Sequence, residues 1–150
     1  MIQVLRTNSS HQDFINLVAE LDKDLAIRDG EDHSFYAQFN TIATIKYVVV
    51  LYENNKAVAC GAIKHFDTAT FEVKRMYVPE VFRKRGFATK VLQELELWSK
   101  ELQYHYLILE TGLQQPEAIA LYKKNGFIII PNYGQYIGIE NSVCFKKTID

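Results

Sequence analysis

The hydrophobic period of the chain changes at Pro79, and this change limits the folds that the sequence can adopt. Before it, β-forming residues run through stretches 47–52, 57–66 and 71–78, with short polar turns between them. These runs predict an antiparallel meander of long strands. After it, apolar residues recur at the spacing of one helical face and predict a helix from about Gly86 to Leu102.

The remaining segments extend this pattern in both directions along the chain. They predict a strand at 2–6, a helix at 10–27 that begins with a capping box at Ser10–Asp13, a short helix at 34–40, a strand at 104–110, a helix from Pro116 to Asn125-Gly126, and strands at 127–130 and 142–148. The predicted fold class is mixed α+β. A mostly antiparallel sheet of about seven strands is flanked by about four helices, and a βαβ unit follows the meander.

Length and charge narrow the class of protein. With 150 residues, the chain fits one domain, 1–150. The net charge of -1 argues against a dedicated nucleic-acid binder. No apolar run approaches the roughly 18 residues of a membrane-spanning helix, and no signal peptide is evident at Met1. Cys60 and Cys144 lie in apolar stretches, which indicates buried thiols in a reducing compartment. We therefore expect a cytoplasmic protein.

The stretch from Val78 to Ala88 carries the most chemical information. A strand ends, a basic turn follows, and a helix begins at a glycine with a small residue two positions further on. Unpaired N–H groups and about half a positive charge at a helix N-terminus suit a phosphate. Five of the 17 cationic side chains fall between Lys74 and Arg85. A solvated basic turn, with glycine present only for its geometry, is the alternative.

Two segments of the chain resemble one protein family. Val78-Pro79-x-x-Phe82-Arg83-Lys84-Arg85-Gly86-Phe87-Ala88 resembles the acetyl-CoA-binding motif of the GNAT N-acetyltransferase superfamily, [QR]-x-x-G-x-[GA]. The segment 118–127 is similar to the family's A-x-x-L-Y-x-x-x-G-F pattern. Together with the meander, these landmarks cover about two-thirds of the chain.

The resemblance implies a bound acetyl-CoA. Main-chain N–H groups of Arg85, Gly86, Phe87, Ala88 and Thr89 would hold its pyrophosphate, with Arg83 and Lys84 adding positive potential. The main chain of Met76, Tyr77 and Val78 would bind the pantetheine arm where this strand splays from the next. The Met76 N–H would donate to the thioester oxygen, where negative charge develops. Gln114-Gln115 stands where many members carry an asparagine.

The same resemblance assigns catalytic roles. Tyr122 would be the general acid for the departing thiolate, although its spacing from Ile119 also fits a core aromatic. Glu72 occupies the position of a catalytic glutamate in several members, and an extended strand would place it on the same face as Lys74 and Met76. A surface glutamate paired with a neighbouring cation, and a water chain as base, are the alternatives.

The predicted activity is acetylation of a primary amine of a small molecule or peptide by direct attack in a ternary complex. An acyl-CoA-binding sensor without turnover is the alternative. Asp29, Glu31 and Asp32 are candidates to attract a cationic amine, and Tyr133 and Tyr136 to wall the acceptor pocket, although a solvated acidic loop fits as well. His11, His33, His65 and His105 show no metal-binding spacing, so no metal is expected. The apolar late strands are compatible with a homodimer.

Overall fold

The computed structural model describes residues 1–29 and 44–150, with side chains for 1–27 and 44–150. Their regular elements, in chain order, are β1 (Ile2–Thr7), α1 (Gln12–Asp29), β2 (Tyr47–Glu53), β3 (Lys56–Asp67), β4 (Thr70–Tyr77), α2 (Phe87–Glu101), β5 (Tyr106–Gly112), α3 (Pro116–Lys124), β6 (Ile128–Ile130) and β7 (Ser142–Thr148). The helix predicted at 34–40 and the acidic positions Glu31 and Asp32 lie outside the described residues.

The seven described strands form one sheet in the order β1-β2-β3-β4-β5-β7-β6. Every neighbouring pair is antiparallel except β4 and β5, which run parallel and are joined through α2. This arrangement confirms the mixed α+β fold, the meander and the βαβ unit. The predicted element boundaries agree with the observed ones to about two residues, because each element carries its own hydrophobic period.

Each face of the sheet is covered by helices. On one face, α2 packs against the meander. The contact is formed by fully buried side chains of α2 and of β2 to β4: Val91, Leu95, Val49, Ile63 and Phe71. On the other face, Phe14, Leu17 and Val18 of α1 pack against alternate residues of β2 and β3, including Cys60. Alternation along each strand therefore decides which helix a side chain meets.

The start of α1 differs from the predicted capping box. The Asp13 N–H donates to His11 Nδ1 at 3.2 Å instead of to the Ser10 hydroxyl, and the helix begins at Gln12. The Ser10 hydroxyl donates to Asn8 Oδ1 at 2.5 Å. The prediction was wrong because the imidazole of His11 supplies the acceptor that the capping box assigned to Ser10.

β4 contains a bulge at Arg75, and this bulge changes which side chains share a face. Arg75 has a φ of 58°, and the pairing with β3 shifts between Lys74 and Tyr77. The inserted residue turns the Met76 side chain towards α2, whereas Glu72 faces the opposite way from its core neighbours Phe71 and Val73. Lys74 does share the face of Glu72, with 3.4 Å between Nζ and Oε1. The prediction that Met76 joins them was wrong.

Gly61 of β3 makes room for the rotated methionine. A Cβ atom placed there would lie 2.4 Å from Met76 Sδ and 2.8 Å from Val91 Cγ1. No side chain larger than hydrogen fits between the bulge and α2 without moving one of them. Glycine at this position thus allows the β4 backbone to bulge towards the helix.

Within residues 1–29 and 44–150, no helix combines the length and apolar content needed to cross a membrane. Over the same ranges, no three His, Cys, Asp or Glu side chains come together as a metal site requires. Cys60 and Cys144 are free thiols at 0% exposure, as the sequence indicates.

Candidate active site

The turn that leads into α2 presents its backbone N–H groups to open space. Lys84 and Gly86 have φ values of 66° and 81°, and a Cβ atom added at Gly86 would meet no heavy atom within 4 Å. Arg83 Nε donates to the Val78 carbonyl oxygen at 2.7 Å and so fixes the base of the turn. A left-handed glycine here keeps the approach to the helix N-terminus clear.

The first turn of α2 carries N–H groups that have no partner among the residues that the structure describes. The Lys90 N–H is bonded to Gly86 O at 3.1 Å, so the N–H groups of Phe87, Ala88 and Thr89 precede the intrahelical ladder. No side chain among the described residues caps this 15-residue helix at Gly86. Three N–H groups without a partner among the described residues lie at the positive end of the helix dipole, where an anion is bound favourably.

The five cations predicted to cluster near this turn lie in two separate places, at the turn itself and on the face of the sheet that α1 covers. Arg85 forms a two-pronged ion pair with Glu53, at 2.8 and 2.5 Å, and its guanidinium lies 4.7 Å from the Phe87 ring centroid. Arg83 Nη2 lies 3.7 Å from Asp24 Oδ2. Lys74 and Arg75 pair with other carboxylates on the face of the sheet that α1 covers. Among the side chains that the structure describes, Arg83, Lys84 and Arg85 are therefore the cations at the turn.

A cavity of about 120 Å³ opens where β4 and β5 separate. The two strands pair only from Thr70 to Glu72, opposite Tyr106 to Ile108, and the later β4 residues have no β5 partner. The side chains that matter chemically come from four elements: Glu72, Arg75 and Met76 of β4, Glu110 of β5, Tyr122 of α3 and Tyr136 of the loop before β7. The fold thus brings both predicted catalytic residues, Glu72 and Tyr122, to one cavity.

Glu72 is held by two partners. Its residue is 8% exposed, Tyr133 Oη donates to its Oε2 at 2.5 Å, and Lys74 Nζ lies 3.4 Å from its Oε1. Burial, followed by the Glu72 charge, raises the pKa of Tyr133 well above its usual value, so this phenol stays a donor. The alternative described a surface glutamate paired with a neighbouring cation. Its surface position is wrong, because Glu72 is buried, but the pairing with Lys74 is present.

Tyr122 is a core aromatic and a cavity residue at once. It is 6% exposed, and its ring lies edge-on to Phe127 at 5.7 Å and tilted against Phe145 at 5.9 Å. Burial, with a smaller contribution from Glu110, raises the pKa of its phenol far above the usual value. The hydroxyl therefore remains protonated at any ordinary pH, which is the state that a general acid requires.

Glu110 is a cavity residue that the sequence reasoning missed. Ser142 Oγ donates to Glu110 Oε2 at 2.7 Å. The signal was available, because Leu107 and Leu109 face the α2 core while Glu110 follows on the opposite face of the same strand. It also lies two residues beyond Ile108, the β5 partner of Glu72.

The structure also gives the positions of the glutamines, tyrosines and aspartate that the sequence analysis named as candidates. Gln115 lines the cavity, whereas Gln114 is exposed, so Gln115 is the amide at the site. Tyr136 lines the cavity at 3% exposure, and Tyr133 reaches Glu72 through its hydroxyl. Asp29, at the end of α1, is described without its side chain.

Comparison with known proteins agrees with this geometry. Residues 15–127 match the model of the acetyltransferase (GNAT) family. An IAA acetyltransferase of Azospirillum brasilense is 28% identical over 138 residues, covering 90% of both chains. A Klebsiella pneumoniae structure, provisionally named an acyl-CoA N-acyltransferase, is 28% identical with a TM-score of 0.82 over 100% of this chain and 99% of its own. An Elizabethkingia anophelis GNAT structure with acetyl-CoA bound, 18% identical, has a TM-score of 0.68 over 98% and 97%.

In this chain a strand separates from its parallel neighbour beside a helix N-terminus that no described side chain caps. The family match covers most of the chain, and the chain belongs to the acetyltransferase (GNAT) family. It is therefore an enzyme of the acyltransferase class.

Proposed function

We propose that this enzyme transfers the acetyl group of acetyl-CoA to a primary amine of a small molecule or peptide, by direct attack within a ternary complex. The observation that carries the proposal is the placement of Glu72 and Tyr122 on one cavity at the point where β4 and β5 part. A carboxylate and a protonated phenol on one cavity supply the base and the acid that such a transfer needs.

The N-terminus of α2 is the proposed site for the pyrophosphate of acetyl-CoA. The main-chain N–H groups from Arg85 to Thr89 supply hydrogen-bond donors, and the open space at Gly86 leaves room for a bulky anion. Arg83 and Lys84 add positive potential. The Arg85–Glu53 ion pair, between the turn and the end of β2, supports the turn from the side of the meander.

The unpaired stretch of β4 is the proposed binding edge for the pantetheine arm. Residues Met76, Tyr77 and Val78 follow the last pairing with β5 at Glu72, and Met76 lines the cavity where the two strands part. The Met76 N–H is the proposed donor to the thioester oxygen. A donor fixed at that oxygen stabilises the negative charge that develops during attack.

The reaction follows from these positions. Glu72, directly or through one water, removes a proton from the ammonium form so that the neutral amine can attack. The amine nitrogen forms a bond to the thioester carbonyl carbon, and the carbon–sulfur bond breaks. Glu72 passes the proton that it took from the ammonium to solvent, and Tyr122 donates its proton to the departing sulfur. The second proton, which the nitrogen loses as the amide forms, restores the Tyr122 phenol, so one proton is released to solvent in each turnover.

Amine-dependent release of the coenzyme A thiol tests this proposal. We expect release with at least one member of a panel of primary amines, and a fall in kcat of about a hundredfold in Glu72→Gln, because a positioned base contributes about 10²–10⁴-fold. Glu20→Gln is the matched control, since Glu20 is exposed on α1 outside the cavity lining. Binding of acetyl-CoA with no thiol release from any amine would favour the sensor alternative.

A further inference from the structure

Arg75, at the β4 bulge, is a buried cation with an incomplete set of hydrogen bonds. Its side chain is 3% exposed, and Nη1 donates to Asp22 Oδ1 of α1 at 2.7 Å. Its Nη2 has no hydrogen-bond partner among the described residues. A buried donor of a charged group is costly to leave unpaired, so its presence on a cavity calls for a partner that the described part of the chain does not supply.

The location of Arg75 assigns it to the acceptor. Arg75 lines the cavity together with Leu21 and Leu25 of α1, on the face of the sheet opposite α2. The anion site for coenzyme A is at the N-terminus of α2, and the Met76 side chain packs on that side. The unpaired guanidinium nitrogen therefore serves a different anionic group from the pyrophosphate.

The charges around the cavity favour one ligand chemistry. Lys74 faces Glu72 and is partly open to solvent, whereas Arg75 is the cavity cation with a buried donor that has no partner among the described residues. Glu72 and Glu110 place two carboxylates on the same cavity, which suits a cationic amine. The guanidinium of Arg75 suits a negative group of a ligand, and the two carboxylates suit its amine. The cavity therefore fits a molecule that carries both groups. A guanidinium binds a carboxylate with particular strength.

We propose that Arg75 binds a carboxylate of the acceptor, so that the amine substrate of this enzyme is an amino acid. This inference rests on the proposed amine acetylation and names its substrate class. The carboxylate takes the Nη2 donor while Nη1 stays on Asp22, and the amine lies towards Glu72 and Glu110.

Matched pairs of amines test the proposal. Acetylation of 4-aminobutanoate is compared with butylamine, L-lysine with cadaverine, and L-phenylalanine with phenethylamine, each at saturating acetyl-CoA. We expect kcat/KM to favour the carboxylate-bearing member by about tenfold to a hundredfold, the range for a hydrogen bond to a charged group. The first pair matters most, because its two amines are both alkylamines and differ mainly in the carboxylate.

Two substitutions separate ligand binding from structural support. Arg75→Gln removes the charge, and Arg75→Lys keeps the charge without the forked donors; both are expected to bring the ratio within each pair close to one. Asp22→Asn breaks the same ion pair from its half-exposed side and leaves the guanidinium in place, so it is expected to retain the preference. Thermal unfolding of each variant shows that it is folded.

Each outcome decides between the claims. Turnover of both members at equal kcat/KM by the wild-type enzyme overturns the carboxylate site and leaves amine acetylation standing, and this result needs no variant. If Arg75→Gln and Asp22→Asn lose the preference equally, Arg75 has a structural role and the carboxylate site is overturned. If Arg75→Gln raises KM for acetyl-CoA and not KM for the acceptor, Arg75 serves coenzyme A and the carboxylate site is again overturned. No thiol release from any pair overturns the amine acetylation on which it rests.

Discussion

Tyr122 shows how burial prepares a single side chain for chemistry. Its ring is part of the apolar core formed with Phe127 and Phe145, and the same burial that packs the ring raises the pKa of the hydroxyl. The sequence left two interpretations, a core aromatic and a general acid. The structure shows that the two are compatible, because the ring packs in the core while the residue lines the cavity.

Removing the Tyr122 hydroxyl tests its role as the acid. Tyr122→Phe keeps the ring that packs in the core, and we expect kcat to fall by about a hundredfold, because general-acid catalysis contributes about 10²–10⁴-fold. The raised pKa has a further consequence: loss of the phenol proton cannot reduce activity below pH 10, the ordinary value for tyrosine. Steady-state rates as a function of pH measure both effects.

The Tyr122→Phe variant also has a defined negative result. Unchanged kcat with an unchanged unfolding midpoint would restrict Tyr122 to packing. An alkaline decline with a midpoint well below pH 10 that disappears in the variant would contradict the raised pKa. Phe127→Leu is a matched control, since it alters the same edge-on ring contact and leaves the hydroxyl in place.

At the scale of elements, helices and strands set by the local hydrophobic pattern were predictable from the sequence. Features set by competing hydrogen bonds or by contacts with distant residues were not. The helix from Gly86 was predictable from its period and its glycine. The bulge at Arg75 was not, because Lys74-Arg75-Met76 contains no glycine and the left-handed residue is an arginine. Its position depends on Gly61, which is fourteen residues earlier on the neighbouring strand and leaves space for Met76.

Two glycines with nearly the same backbone conformation allow a controlled test of the turn into α2. Gly86 and Gly138 have φ values of 81° and 80°, and a Cβ atom at either meets no heavy atom within 4 Å. Alanine at each position carries a similar strain of about 1–2 kcal/mol. We expect both variants to lose a similar few degrees of unfolding midpoint.

Only the Gly86→Ala variant is expected to bind acetyl-CoA less tightly, by about tenfold or more, because the added methyl group projects into the approach to the Phe87, Ala88 and Thr89 N–H groups. Titration of each variant with acetyl-CoA, followed by its thermal unfolding, measures the difference. Equal affinity in Gly86→Ala and Gly138→Ala would mean that the approach to the α2 N-terminus does not contribute to binding.

For the molecule as a whole, the separation of β4 from β5 is the feature that creates the site. Three residue pairs hold the two strands together, and then the parallel ladder ends while both strands continue. This opening places the unpaired edge of β4, the carboxylates Glu72 and Glu110, and Tyr122 within one cavity. The order of the elements was predictable from the sequence. The separation of the two strands near Met76 was anticipated only through the family resemblance, because no local hydrophobic pattern marks the end of a parallel ladder.

The edge of the sheet at β6 carries exposed apolar side chains. Ile128 and Ile129 are 66% and 57% exposed, on the strand at the end of the sheet. Exposed apolar residues on an edge strand are compatible with association of copies. The homodimer stays a prediction that the site does not require, because every residue assigned to it belongs to one chain.

The central claim is that the turn and helix from Arg83 to Thr89 bind acetyl-CoA, and thermal unfolding with and without this ligand tests it most directly. At about 100 times its dissociation constant, a ligand adds about 2.7 kcal/mol of stability, and each kcal/mol raises the midpoint by about 2–4 °C for a chain of this size. We predict a rise of several degrees with acetyl-CoA and no comparable rise with an equal concentration of ATP. An unchanged midpoint with acetyl-CoA, or an equal rise with ATP, would contradict the claim.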